Sequence, residues 1–330
     1  MNAFFNKFSC WLIALRVYSL PISIMSWFVP FLYGQFDGGN FVYGIIALIG
    51  VVLVHLGANL FDDIIDYTLT KRRIDNGLQD EFNFQHGKCI CLFDGSLSLK
   101  QYFIACFILF LTALIIALFF VSLWGVKLIP IIVTAAILCL LYPILGSLGF
   151  GEIIIAIIFS PLLYSGTYFV MTGKFSSAIL FLSVPTGLLS VAVLHTHMLL
   201  DYKFDSKNRK ITLCRLSGSQ NNAYILLCLI IFSTYLSVIL FSLFGYINYI
   251  YMFVLLTLPT AYTLLKVMYY HIKNPEIEIK PNIFMGSLKG LEKVDGNQRG
   301  FLMKFFIVRN LLSLFTLLLS ILIVIEKCIL

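Results

Sequence analysis

The stretch Asn59-Leu60-Phe61-Asp62-Asp63-Ile64-Ile65-Asp66-Tyr67 closes an apolar run that begins at Phe41. A run of that length spans a bilayer as a helix, for which about 20 apolar residues suffice. Carboxylates inside such a helix are costly unless a cation or a cavity receives them. Helical periodicity puts Asp62 and Asp66 on one face, with Asn59 one turn earlier and Asp63 about 100° round. A second stretch, Asp201-Tyr202-Lys203-Phe204-Asp205, closes another apolar run with the same four-residue spacing. Two carboxylate pairs at two helix ends suit a divalent-metal site that holds a diphosphate.

The surrounding composition agrees with membrane helices. The chain has 330 residues, 60% hydrophobic and 12% charged, with a mean hydropathy of +0.96. Soluble domains carry about twice that charge. The expected fold is all-α: a polytopic membrane protein of one domain, 1–330, with nine transmembrane helices around a central cavity. The expected spans are 21–33 with its flanks, 41–67, 102–124, 127–145, 151–171, 177–203, 224–244, 249–270 and 301–325. Residues 4–19 read as an amphipathic helix at the membrane surface. Lys7, Arg16 and the lack of a small-residue cleavage site argue against a removed signal peptide. Eight scattered cysteines do not form a disulfide framework. No nucleic-acid motif accompanies the net charge of +7.

Lysine and arginine placement sets the expected orientation. With the N-terminus inside, nineteen of the 23 basic residues fall in inside segments and helix edges, against Lys127, Lys174 and Lys327 outside. The positive-inside rule therefore places loops 68–100 and 272–300 in the cytoplasm. The helices 41–67 and 177–203 then run the same way and bring both aspartate clusters to one depth. Four helices separate the clusters in order, which suggests two pseudo-repeated four-helix halves and a ninth helix.

Departure of a diphosphate from an allylic carbon requires its charge to be neutralised, and Mg2+ held by a few carboxylates does this. The expected metal ligands are Asp62, Asp63, Asp66, Asp201 and Asp205. Lys71, Arg72 and Arg73 follow the first cluster, and Lys207, Arg209 and Lys210 the second, in reach of phosphate oxygens. Positive-inside topology alone accounts for about half of such residues. His195 and His197 lie about a turn before Asp201, as contacts for an acceptor or as satisfied buried histidines. Glu152 reads as the cap of its helix start rather than a catalytic acid. His86, Cys89 and Cys91 read as ordinary loop residues with reduced thiols rather than a metal site. Tyr142, Tyr164 and Tyr168 offer ring faces to a carbocation, although tyrosine is also common at membrane interfaces.

At these residues the chain resembles the UbiA superfamily of intramembrane prenyltransferases. Asp62-Asp63-Ile64-Ile65-Asp66 is similar to the first aspartate motif of that family, with Asp62 at its asparagine place. Asn59-Leu60-Phe61 and Asp66-Tyr67 look more like the menaquinone branch. Asp201-Tyr202-Lys203-Phe204-Asp205, Thr212-Leu213 and Leu216-Ser217-Gly218 resemble the second motif and its sequel. Gly151-Glu152, Gly166-Thr167-Tyr168 and Thr172-Gly173 resemble the helix 5 pattern of dihydroxynaphthoate prenyltransferases. Arg16 and Tyr142 stand near the family's early arginine and helix 4 tyrosine. The specific likeness covers 16–218. His197, Met198, Leu199 and Leu200 depart from the Asn-Asn-x-Arg usual in that branch, and loop 281–300 is longer than usual.

The resemblance implies a Mg2+-dependent transfer from a polyprenyl diphosphate to an aromatic acceptor, dihydroxynaphthoate in menaquinone biosynthesis. It also implies substrate-binding roles for Asn59, Arg16, Lys71, Arg72, Tyr142, His197, Lys207, Arg209 and Lys210. The expected setting is membrane lipid, in a bacterial inner membrane with the active site facing the cytoplasm. The competing readings are a related transferase acting on hydroxybenzoate, haem or a lipid alcohol, and an ion-coupled transporter. Transporter sites favour the bilayer midplane and broken helices, whereas these carboxylates cluster at helix ends.

Overall fold

Backbone polar groups inside a bilayer must be satisfied within the chain, which leaves helices as the solution for apolar runs of this length. The computed structural model describes residues 2–75, 89–207, 211–274, 279–289, 291 and 296–329. Among them, eight helical segments are long and apolar enough to cross a membrane. The expected spans 102–124 and 127–145 fall in one 48-residue segment, Leu99–Gly146, so this count differs from the expected nine. Within that segment the chain turns at Gly125, whose φ of +68° suits a residue without a Cβ.

The chain opens with α1 (Asn2–Ala14), a one-turn 3-10 helix at Val17–Ser19, and α2 (Leu20–Phe36). Next come α3 (Phe41–Asp75), the short α4 (Ile90–Phe93) and α5 (Leu99–Trp124). The start of α5 carries a capping box in which Ser98 and Gln101 satisfy each other's amides. A 3-10 turn leads into α6 (Ile129–Gly146). The following span is α7 (Gly151–Ile157) and α8 (Leu163–Thr172), joined by a π turn at Ile158–Leu162 that contains Pro161. Proline lacks the N–H that a regular α turn would use there. Then follow α9 (Ser177–Leu200), α10 (Tyr202–Lys207), α11 (Leu213–Leu216), α12 (Gln220–Leu243), α13 (Leu258–Lys273) and α14 (Gly296–Ile329). No strand occurs among the described residues; one isolated bridge joins Leu148 to Ile211.

Burial decides which helix is central. In α9, 61% of the most apolar window is buried, against 11% in α3. The largest core cluster packs Leu182 and Leu189 of α9 with Leu227 of α12, Leu264 of α13 and Leu311 and Phe315 of α14. By contrast, α5 exposes Phe103, Phe107, Ile115 and Leu118, a surface that suits lipid. One end of the bundle is closed by Asp37, just after α2. Its carboxylate accepts from Lys327 at 2.8 Å and from the Tyr168 hydroxyl at 2.7 Å. The aspartate clusters lie toward the other end.

Candidate active site

The first cluster is set by the turn between α1 and α2. Arg16 has φ 49° and ψ 46°, a left-handed conformation that costs a non-glycine residue about 1–2 kcal/mol. The turn directs its guanidinium to α3, where Nη2 meets Asp62 Oδ2 at 3.1 Å and also pairs with Asp63 Oδ1. Burial alone would lower the Arg16 pKa, but Asp63 and Asp62 together outweigh it and hold the value well above normal. The arginine therefore stays charged between the two carboxylates. The side chain of Asn59 donates to the Leu15 carbonyl at 3.0 Å, tying the same turn to α3. Asn59, expected to contact substrate, thus also supports the turn through backbone. His55, one helix turn before Asn59, holds Ser19 and Ser23 at 2.8 and 2.5 Å. Nothing in the residue pattern of His55 pointed to that role.

Asp63, one of the expected metal ligands, is held by the protein on both sides. Its side chain is 1% exposed, Oδ1 pairs with Arg16, and Oδ2 accepts from the Cys89 amide at 3.2 Å. The Cys89 thiol in turn donates to the Asp63 carbonyl at 3.3 Å. Both oxygens are thus engaged by the protein, and Cys89, a free thiol as expected, anchors the return of the chain to α3. Asp66 sits one turn beyond Asp62 and is half-buried.

The second cluster lies where α9 passes into α10. Asp201 caps α9, and the Asp205 amide donates to its carbonyl at 2.9 Å. That bond carries the helical turn onward, so the two carboxylates stay on one face. His197 Nδ1 stands 3.3 Å from Asp201 Oδ2. Its ring is met edge-on by Phe301 at 5.3 Å and Phe305 at 6.2 Å. Arg215, which belongs to no motif, donates through Nη1 to the Asp205 carbonyl at 3.3 Å. Its spacing of ten residues from Asp205 crosses a loop and carries no helical signal.

Contacts at both ends relate the two clusters. At the start of α3, the Asn40 amide donates to the Met171 carbonyl at 2.9 Å, near the end of α8. Ser176, five residues on, caps α9, so α3 and α9 begin at the same end of the bundle. At about 1.5 Å per residue, Asp62 lies roughly 32 Å from Phe41, and Asp201 roughly 36 Å from Ser177. Both lengths are enough to cross one hydrocarbon core of about 30 Å. At the far end, Tyr18 meets Phe305 at 5.9 Å, and Phe305 meets His197. A continuous path of contacts thus runs from Arg16 and its aspartates, through two aromatic rings, to His197 and Asp201.

The other expected site residues are placed as follows. Lys71 and Arg72 are exposed on the last turn of α3, with Lys71 Nζ 5.9 Å from the centre of the Tyr67 ring. Lys207 is exposed at the end of α10. Arg209, Lys210 and His86 lie outside the described residues. Tyr142 is half-buried in α6, one turn before Gly146. Tyr164 is fully buried, and Tyr168 bonds Asp37 at the end away from the aspartates. Glu152 does begin a helix, but its carboxylate is buried against His195 at 3.1 Å. That contact, rather than capping, is its place in the fold. A cleft of about 330 Å³ opens between α2, α13 and α14, lined by Met25, Thr260, Asn310, Leu314 and Leu317 among others.

Residues 19–288 match the model of the UbiA prenyltransferase family. No curated protein matches the chain. Among solved structures, the fold is similar to a structure described for digeranylgeranylglyceryl phosphate synthase, at 14% identity and a TM-score of 0.60, covering 97% of this chain and 99% of the other. It is also similar to a UbiA homolog from Archaeoglobus fulgidus bound to GPP and Mg2+, at 16% identity and a TM-score of 0.57, covering 94% and 99%. The same homolog bound to DMAPP and Mg2+ matches at 15% identity and a TM-score of 0.58, covering 92% and 98%.

Proposed function

The chain belongs to the UbiA prenyltransferase family, and from that premise we propose that it transfers a polyprenyl group from a polyprenyl diphosphate to an aromatic acceptor at the paired aspartates. The observation that carries the reading is that both pairs lie toward the same end of the bundle, on helices that start at its other end and are long enough to cross a bilayer. A transporter site near the midplane would not produce that placement.

The residues present fit a magnesium ion. Asp62, Asp66, Asp201 and Asp205 supply oxygen donors, the set that this hard cation takes. Arg16 offsets only one of the two charges of Asp62 and Asp63, which leaves the position negative and open to a further cation. Asp62, Asp66, Asp201 and Asp205 would hold the ion, while Asp63 holds Arg16. Bound there, magnesium supplies neutralisation of the charge that develops on the departing diphosphate. Lys71, Arg72, Lys207, Arg209 and Lys210 bind phosphate oxygens, and Arg215 steadies the second pair through the Asp205 backbone. The allylic carbon left by the diphosphate is attacked by the acceptor ring, whose proton passes to a basic group or water.

Tyr18, His197, Phe301 and Phe305 suit a planar aromatic acceptor, because their rings lie beside Asp201 along the path between the pairs. Dihydroxynaphthoate, giving demethylmenaquinone, is the acceptor favoured by the sequence likeness at 59–67 and 166–168. The apolar wall of the cleft along α14, including Leu314 and Leu317 beyond Phe305, suits the prenyl tail. The basic-residue bias supports a site on the cytoplasmic side. Purified protein incubated with labelled polyprenyl diphosphate, magnesium and a panel of dihydroxynaphthoate, hydroxybenzoate, haem and a lipid alcohol tests the reading. Prenylated dihydroxynaphthoate, identified by mass, is the expected product. Prenylation of another acceptor alone refutes the acceptor; no product with any acceptor refutes the activity.

A further inference from the structure

Behind the second aspartate pair, three side chains capable of binding metal meet in the interior. Glu152 stands in the first turn of α7, His195 on α9 and Cys214 on α11, with relative exposures of 3%, 0% and 0%. One ligand atom from each lies within 4.8 Å of the others. The loop geometry that brings them together is specific. Gly149 has a φ of +91°, and a Cβ there would stand 2.5 Å from Leu216 Cδ1, so the turn before α7 closes directly on α11.

The hydrogen bonds impose a requirement on this cluster. His195 Nε2 lies 2.9 Å from the Ala223 carbonyl oxygen. A carbonyl only accepts, so Nε2 carries the hydrogen. In a neutral ring the lone pair is then on Nδ1, which faces Glu152 Oε1 at 3.1 Å. A lone pair against a carboxylate is repulsive, so a positive charge belongs between them. The Cys214 sulfur lies 3.6 Å from each ring nitrogen. The second carboxylate oxygen, Glu152 Oε2, is buried with no hydrogen-bond partner among the described residues.

We propose that Glu152, His195 and Cys214 form a buried binding site for a zinc-class divalent cation, separate from the magnesium site at the aspartates. The donor set is one imidazole, one thiolate and one carboxylate, which favours zinc over hard cations that take oxygen alone. Glu152 Oε1 and His195 Nδ1 stand 3.1 Å apart and can share one ion, while Cys214 Sγ, 3.6 Å from both ring nitrogens and so over the ring face, turns toward Nδ1 to join them. A metal-bound histidine commonly donates its other N–H to a backbone carbonyl, as His195 does to Ala223. Glu152 Oε2, buried without a hydrogen-bond partner among the described residues, adds negative charge that such an ion would offset. Without a cation, burial pushes the Cys214 thiol pKa up, and the charges of Glu152, Asp205 and Asp201 push it the same way. The ion would tie α7, α9 and α11 together and fix Arg215, the neighbour of Cys214, on the second aspartate pair.

The test uses the full chain in detergent micelles, purified with a tag that contains no histidine. About one zinc per chain is expected by elemental mass spectrometry after dialysis, with loss of most of it in Glu152→Gln, His195→Ala and Cys214→Ser. Cobalt added to chelator-treated wild-type protein should give a thiolate-to-cobalt charge-transfer band, a reading that needs no variant to fold. That band should disappear in Cys214→Ser. Absence of both retained zinc and the cobalt band in wild-type protein overturns the proposal and leaves a proton as the bridging charge. A band that survives Cys214→Ser but is lost in Cys91→Ala also overturns it, because the metal then belongs to the cluster of Cys10, Cys91 and Asp94.

Discussion

Replacing Asp63 and Asp62 separately by asparagine tests whether neighbouring carboxylates on α3 divide their work. Asp63 is 1% exposed at its side chain and pairs with Arg16, which is 21% exposed. Removing one charge of a buried pair costs about 3–5 kcal/mol. Two features reduce that here: Arg16 keeps Asp62 at 3.1 Å, and an asparagine oxygen can still accept from the Cys89 amide. Roughly half the full cost, about 2 kcal/mol, is therefore expected for Asp63→Asn. At about 2–4 °C per kcal/mol, the Tm falls by about 4–8 °C. Turnover measured well below that transition stays near wild type. Asp62→Asn should behave in the opposite way. The Arg16–Asp63 pair survives, so Tm moves little, while loss of a ligand at the departing diphosphate costs about 3–4 kcal/mol, or a hundredfold or more in rate. Thermal transitions in micelles and transfer of labelled prenyl groups measure the two effects on the same preparations. A wild-type Tm with abolished turnover in Asp63→Asn would refute the division and return Asp63 to the metal ligands.

Three further outcomes are expected. Transfer should stop in excess chelator and return with magnesium, and return poorly with calcium, whose larger and more variable shell suits the site less well; full turnover in chelator would remove the metal from the reading. His197→Ala should raise the apparent acceptor constant and leave donor binding unchanged, whereas an equal loss of donor binding would make the histidine part of the metal site. Gly187→Ala should lower stability by about 1–3 kcal/mol through overpacking, because its Cβ would meet Ser160 Cβ at 2.4 Å where α9 crosses the π turn; a Tm equal to wild type would show that this crossing is loosely packed.

The sequence by itself determined the fold class and the two aspartate pairs. Apolar runs long enough for a bilayer leave few backbone solutions, and a four-residue spacing places two carboxylates on one face wherever the helix packs. Those are local properties, legible without any neighbour. The roles within the first stretch were not legible, because Asp62 and Asp63 are adjacent and chemically identical. Only the turn at Arg16 and the return of the chain at Cys89 distinguish them, through contacts 26 to 47 residues apart. The same holds for Glu152, whose place at a helix start suggests a cap until α9 brings His195 against it and α11 brings Cys214. Arg215 and His55 carried no periodic signal for the same reason: their partners are supplied by other segments. Helix spacing along one segment is set by the backbone, but which side chains share a buried space is decided by packing between segments, and that required the tertiary structure.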